Sequence, residues 1–194
     1  MKILNDTALS AEQRREAVEV FVDGFGHMFT FAKTRSELVE LFTASFVGEL
    51  IYVCITDDGH AAGILGIGTS TQRAIKFDKT VCRRIFGKGK GNMVYRIFRT
   101  TSGAPAVKNP TDLYIDYLAT SAQMRGQGIA SAMLKFAGGL PGYSECYLDV
   151  LSKNTNALRL YEKLGFERYK KGFNFFTLMQ GLGQPIKMRK KIQI

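Results

Sequence analysis

Along residues 113–171 the hydrophobic period switches repeatedly between two and 3.6, and no other feature of the chain restricts its fold as strongly. The pattern predicts a strand over 113–120, a helix over about 128–138, a strand over 145–151, a helix over about 154–164 and a strand over 166–171. The joints carry turn chemistry: Gly126 and Gly128, then Pro141-Gly142, then Gly165. A strand that crosses back through a helix re-enters the sheet in the same direction, so some strands must pair in parallel. The expected fold is α/β (α+β), with a central mixed, twisted sheet of about six to seven strands flanked by helices.

Upstream the order is helix, helix, hairpin. Ser10 and Gln13 form a capping box, after which Ala17, Val18, Phe21, Val22 and Phe25 share one face. A second helix is expected from Thr34 or Ser36, with Leu38, Leu41 and Phe42 inward. Residues 50–56 and 61–69 read as strands around the turn Asp57-Asp58-Gly59. Residues 73–110 break the pattern with two short basic amphipathic helices, about 78–86 and 92–100, separated by Gly87-Lys88-Gly89-Lys90-Gly91. They form a helical insertion between the third and fourth strands. One or two closing strands are expected after Phe173, and residues 1–194 are expected to make one domain.

The chain has 27 Lys and Arg against 17 Asp and Glu, a net charge of +10. Residues 73–108 hold ten bases and one acid, and residues 167–194 hold seven bases and one acid, so the rest of the chain is mildly acidic. An anionic partner is indicated, but the charge does not choose among a phosphorylated coenzyme, nucleic acid and an acidic membrane. Three dispersed cysteines (Cys54, Cys82, Cys146) and two histidines (His27, His60) give no metal-ligand spacing and point to a reducing compartment. With no long apolar run at the N-terminus or elsewhere, the expectation is a cytoplasmic protein without a metal or a membrane span.

The stretch Leu118-Ala119-Thr120 to Arg125-Gly126-Gln127-Gly128-Ile129-Ala130-Ser131 joins a strand to a helix through two glycines. Glycine lets the backbone approach a ligand closely, and the first amides of the helix have no internal partners. With the helix dipole they favour an anion such as a pyrophosphate, and Arg125 adds a cation. Three readings fit: a glycine turn without a ligand, a dinucleotide fingerprint with Asp149 ending the next strand, and a coenzyme A site. Against the dinucleotide reading, Ser131 stands where a third glycine is expected.

A second motif follows, Asn154-x-x-Ala157-x-x-x-Tyr161-x-x-x-Gly165-Phe166. Asn154 is a helix N-cap, Gly165 ends the helix, and Tyr161 on the apolar stripe reads equally as a core aromatic. Together, Arg125-Gly126-Gln127-Gly128-Ile129-Ala130 and this motif resemble the GNAT superfamily of acyl-CoA-dependent N-acyltransferases. The resemblance spans roughly 113–171, and the helix–helix–hairpin start is compatible with it.

The resemblance implies transfer of an acetyl group from acetyl-CoA to a primary amine of a small molecule or protein, by direct attack in a ternary complex. It implies a bulge in the strand before the phosphate loop, so that the pantetheine arm lies in place of a missing strand. Backbone groups at Leu118, Ala119 and Thr120 would then meet the thioester and arm, and Arg125 through Ser131 would cradle the pyrophosphate. Asn154 would touch the pantetheine or an ordered water, and Tyr161 would protonate the departing thiolate. Asp116 shares the face of Leu118 and Thr120 if the strand alternates regularly, which makes it a candidate base beside the alternatives of an ion-paired carboxylate or proton loss to water. Cys146 reads as a buried thiol, His27 as structural and His60 as exposed.

For the insertion three readings stand: a solvated helix pair, a lid over the cleft, and a nucleic-acid surface stacking bases on Phe77, Phe86, Tyr95 and Phe98. Scarce aromatic residues and the absence of Trp weigh against nucleic acid. The alternative to an enzyme is a coenzyme-binding or nucleic-acid-binding module of the same fold. Either a monomer or a homodimer is compatible with the sequence.

Overall fold

Seven strands form one sheet in the computed structural model, which describes residues 1–179 and 181–192, and the backbone alone at 100–102 and 176. In chain order the strands are β1 (Lys2–Asn5), β2 (Ile51–Ile55), β3 (Ala61–Gly68), β4 (Asp112–Thr120), β5 (Glu145–Leu151), β6 (Glu167–Lys171) and β7 (Pro185–Lys191). Across the sheet they lie β1-β2-β3-β4-β5-β7-β6. Only β4 and β5 pair in parallel; the other neighbours are antiparallel. The helices are α1 (Ala11–Phe25), α2 (Arg35–Ser45), α3 (Lys79–Phe86), α4 (Lys88–Ser102), α5 (Ile129–Gly138), α6 (Thr155–Lys163) and the short α7 (Phe175–Met179).

The sheet divides two apolar layers. On one face Phe21, Leu41, Phe42, Ile51, Val53 and Ile64 pack with α1, α2 and the insertion helices. On the other, Leu65, Leu113, Leu148 and Met188 pack beneath α5 and α6. Helix starts follow from local chemistry. Ser10 with Gln13 and Thr34 with Glu37 each close a capping box, and the Asp78 carboxylate accepts the Thr80 and Val81 amides at 2.7 and 3.0 Å. Helix α5 lies close on β3 because Gly63 has no side chain: a Cβ there would sit 2.9 Å from Ile129 Cγ2 and 3.0 Å from Met133 Sδ.

Two expectations are corrected. The chain opens with a strand, β1, which pairs with β2 from Lys2↔Ile55 to Asn5↔Tyr52; four residues at a sheet edge give too little periodicity to read. Helix α4 begins at Lys88, so only Gly87, at φ 77, separates the insertion helices. Gly91 is helical there because it packs against the Cys82 and Arg83 backbone of α3, where any Cβ would collide. The tail supplies one closing strand, β7, inserted between β5 and β6, and the turn of helix α7.

The insertion is anchored by its aromatic residues. Phe77 stacks on Phe98 at 4.3 Å between ring centroids, and Phe98 and Phe86 meet Phe31 at 5.5 Å. Phe77, Phe86, Tyr95 and Phe98 all pack against the α1–α2 core. The four rings considered for base stacking are therefore engaged in packing. Among the described residues no helix is long and apolar enough to cross a membrane.

Candidate active site

Strand β4 holds one residue more than its partner β3. Tyr117 faces Gly66 and Ile115 faces Ile67, leaving Asp116 as the extra residue of a bulge. The bulge exchanges the faces of the strand: Leu113 and Ile115 point into the α5–α6 core, whereas Tyr117 and Ala119 point under α1. It also marks where β4 leaves β5. Their ladder runs from Asp112↔Glu145 to Ile115↔Leu148. Beyond it β4 continues on β3 as far as Thr120, and β5 continues on β7 as far as Leu151. A gap opens between residues 116–120 and 149–151.

Backbone groups of β4 face this gap. The Ser121 amide donates to Ala62 O at 2.9 Å, and Ala119 is registered on Ile64. By antiparallel alternation Ser121 and Ala119 direct their amide and carbonyl groups to β3, while Leu118 and Thr120 direct theirs into the gap. Ala119 is thereby removed from the coenzyme set: its backbone is engaged with β3 and its side chain is buried under α1, 3.0 Å from where a Gly24 Cβ would lie.

The turn beyond β4 runs through a 3-10 turn (Ala122–Met124), where Gln127 Nε2 donates to Met124 Sδ at 3.6 Å, and then into α5. Gly126 and Gly128 both have φ +80, a region that other residues enter only with strain. Nothing lies within 4 Å of a Cβ built on either. No side chain caps α5, and its first internal bond is Ala132 N–H to Gly128 O at 2.9 Å. The amides of Ile129, Ala130 and Ser131 therefore precede the helical ladder, with Arg125 exposed beside them. The Ile129 side chain is buried, so this residue offers its backbone only.

Helix α6 follows β5. Asn154 Oδ1 accepts the Ala157 amide at 3.2 Å and so starts the helix as its N-cap. Tyr161, half-buried, meets Phe166 edge-on at 5.9 Å. Burial pushes its phenol up to about 12. Leu118, Met124, Ala157 and Tyr161 pack around the same buried cluster as Ile129 and Met133, so β4, the turn and α6 share one face of the sheet.

Asp116 is not on that face. Regular alternation would have put Leu118 beside it on the α1 side, but the bulge turns Leu118 to the α5–α6 core and leaves Asp116 on the α1 side. There its Oδ1 accepts Arg73 Nε at 2.6 Å and its Oδ2 accepts the Ala74 amide at 2.8 Å. The side chain is 5% exposed, and burial raises its carboxyl above the usual range against the pull of Arg73. A more accessible carboxylate is Asp149, 30% exposed and 3.4 Å from Lys187 Nζ. It lies on the part of β5 that has left β4. Burial, followed by the Asp149 charge, pushes the neighbouring Tyr114 phenol up. The alternation of Cys146, Leu148 and Val150 toward the core was the signal that Asp149 faces away from it.

Cys146 is buried, and burial raises its thiol to about 12. His60 is exposed and bonded to Glu16 at 2.8 Å; His27 is exposed rather than structural.

The sequence profile of the Acetyltransferase (GNAT) domain matches residues 48–168. The chain belongs to that family. N-acetyltransferase 8B of Homo sapiens is 40% identical over 84 residues, covering 39% of this chain and 36% of that protein. The chain thus matches about a third of that relative's length, the 36% just given. Among solved structures, one described as histone acetyltransferase HPA2 and related acetyltransferase from Corynebacterium glutamicum ATCC 13032 superposes with a TM-score of 0.64 at 22% identity, covering 100% of this chain and 97% of that one. The NatB acetyltransferase complex bound to CoA and MES gives 0.59 at 18% identity, covering 100% of both chains. At these identities the solved structures speak for the fold alone.

Proposed function

We propose that the protein is an acetyl-CoA-dependent N-acetyltransferase that acts on a primary amine within a ternary complex, residues 1–194 forming the catalytic unit. The observation that carries this reading is the gap that opens where β4 leaves β5, with the uncapped amides of α5 following β4 in the chain. The two glycines leave room for a pyrophosphate to reach the backbone, and the amides from Ile129 to Ser131, with Arg125, supply its donors. The name of human N-acetyltransferase 8B supports acetyl transfer to nitrogen, and the NatB complex of the same fold is described as bound to CoA.

Acetyl-CoA brings an acyl thioester to the gap. The outward backbone groups of Leu118 and Thr120 would hold an extended amide-bearing arm in the position of a strand, with the Leu118 N–H a donor to the developing charge on the thioester oxygen. Tyr161, a phenol protonated at neutral pH and pushed up to about 12 by burial, gives its proton to the departing sulfur. Asn154 fixes the start of α6 and hence the position of Tyr161. Asp116 acts as a positioning residue through Arg73, and Asp149 accepts the proton of the incoming amine through water.

The test is release of coenzyme A thiol when acetyl-CoA is mixed with a panel of primary amines, with mass spectrometry of the amine. Amine-dependent thiol release and an N-acetylated product are expected. A thiol signal no faster than the amine-free rate across the panel would overturn enzymatic transfer.

A further inference from the structure

The insertion encloses space as well as packing on the sheet. Between the segment from Thr71 to Phe77 and α4 lies a cavity of about 590 Å³, a volume usual for a small-molecule site. Phe77, Tyr95 and Phe98 form apolar walls, and Arg73, Lys76 and Arg99 the charged ones; among the described residues no carboxylate lines it. Arg73 is matched by Asp116, to which its Nε is bonded at 2.6 Å. The positive excess of the lining therefore comes from Lys76 and Arg99. The same Arg73–Asp116 contact ties the inner wall to the bulge where β4 parts from β5. The cavity thus opens on the sheet face opposite α5 and α6, one side chain from the apex of the gap.

We infer that this cavity holds the body of the amine acceptor, and that the acceptor is a small amine carrying both an apolar or aromatic portion and an acidic group. This inference deepens the acetyltransferase reading and depends on it for the reaction, though not for the binding. Aromatic walls without a charge partner select an apolar body, and two cations without a carboxylate select an anion while repelling a purely cationic amine. Arg99 offers a planar fork for a carboxylate or a phosphate, and Lys76 a point charge. The basic insertion then serves a small acidic acceptor.

Calorimetric binding to the CoA-loaded protein tests this without requiring turnover. The ligands are matched sets: aromatic and aliphatic amino acids, their amides, their decarboxylated amines, and phosphate-bearing amines of similar size. Acidic members should bind at least about tenfold more tightly than their amides, with the preference shrinking as salt rises. Arg99→Gln and Lys76→Gln, both at exposed positions, should each reduce that preference about fivefold or more while leaving CoA affinity unchanged. Whether carboxylates or phosphates lead names the anion. Equal binding of acids and amides, no binding by any acid, or full preference in both variants would overturn the inference. Thiol release is scored separately. Transfer to neutral amines without acid preference sinks the acceptor class and leaves the acetyltransferase; acid preference without thiol release does the reverse.

Discussion

The two faces of the sheet offer different kinds of group to a ligand. On the α5–α6 side the groups that face the gap and its mouth are almost all backbone: the edge of β4 at Leu118 and Thr120 and the amides from Ile129 to Ser131. On the α1 side the insertion offers side chains, with Lys76 and Arg99 on a wall of Phe77, Tyr95 and Phe98. Backbone recognition demands particular residues, glycines with positive φ and a cap that is missing, at fixed spacing. Side-chain recognition demands only that some cation and some ring arrive in one place, and many sequences achieve that. The Arg73–Asp116 pair ties the insertion to the bulge beside the gap, so variants on either side and at this joint should behave differently.

The joint should give the largest change. In Arg73→Ala, Asp116 stays buried with only the Ala74 amide, a loss of about 3–5 kcal/mol at neutral pH. Arg73 lowers a carboxyl that burial raises, so without it the pKa of Asp116 climbs further. The ionised form is then the destabilised one, and the deficit shrinks as pH falls and Asp116 takes up a proton. Urea unfolding near pH 5 and near pH 7.5 measures this, and a deficit independent of pH would break the account of the joint.

On the backbone side, Tyr161→Phe should lower kcat about 10²-fold or more, the usual scale for losing a general acid. Its Kd for CoA should hardly move, since the phenol is assigned to the leaving sulfur. Equal kcat at saturating substrate removes Tyr161 from the chemistry. The two carboxylates separate next. Asp149→Asn should cost about tenfold or more in kcat/KM, whereas Asp116→Asn should cost several-fold less. The opposite pattern would restore Asp116 as the base.

The smallest effect isolates the insertion. Gly91→Val forces a side chain against the α3 backbone and should cost about 1–3 kcal/mol by overpacking. Amide exchange should rise across residues 79–102, acceptor binding should weaken, and CoA affinity should be spared. Parallel loss of CoA binding would show that the two faces are not separable.

The sequence displays this division. The β4–α5 turn, the Asn154 cap and Gly165 were legible because each is a short-range demand of the backbone on residue type. The bulge was not legible from periodicity, since Asp112 to Thr120 alternates without a break in composition and the extra residue is defined only against β3. That one shift parted Asp116 from the face of Leu118, put the Ala119 side chain under α1 and left Asp149 as the accessible carboxylate. The glycine run of the insertion was read as a linker because its meaning lay in the approach of α3 to Gly91, a contact between elements. Local pattern misses register and pocket lining for the same reason: both are properties of pairs.

The place of β7 has a consequence for how the protein is made. Strand β6 has all five residues exposed and, among the described residues, pairs with no strand but β7, and the outer edge of β5 is likewise covered by β7. A ribosome releasing this chain delivers both neighbours before the strand that joins them. Until residues 185–191 emerge, β5 presents an open edge with Cys146, Leu148 and Val150 on one side. That interval is when the nascent protein most needs protection from pairing with another chain.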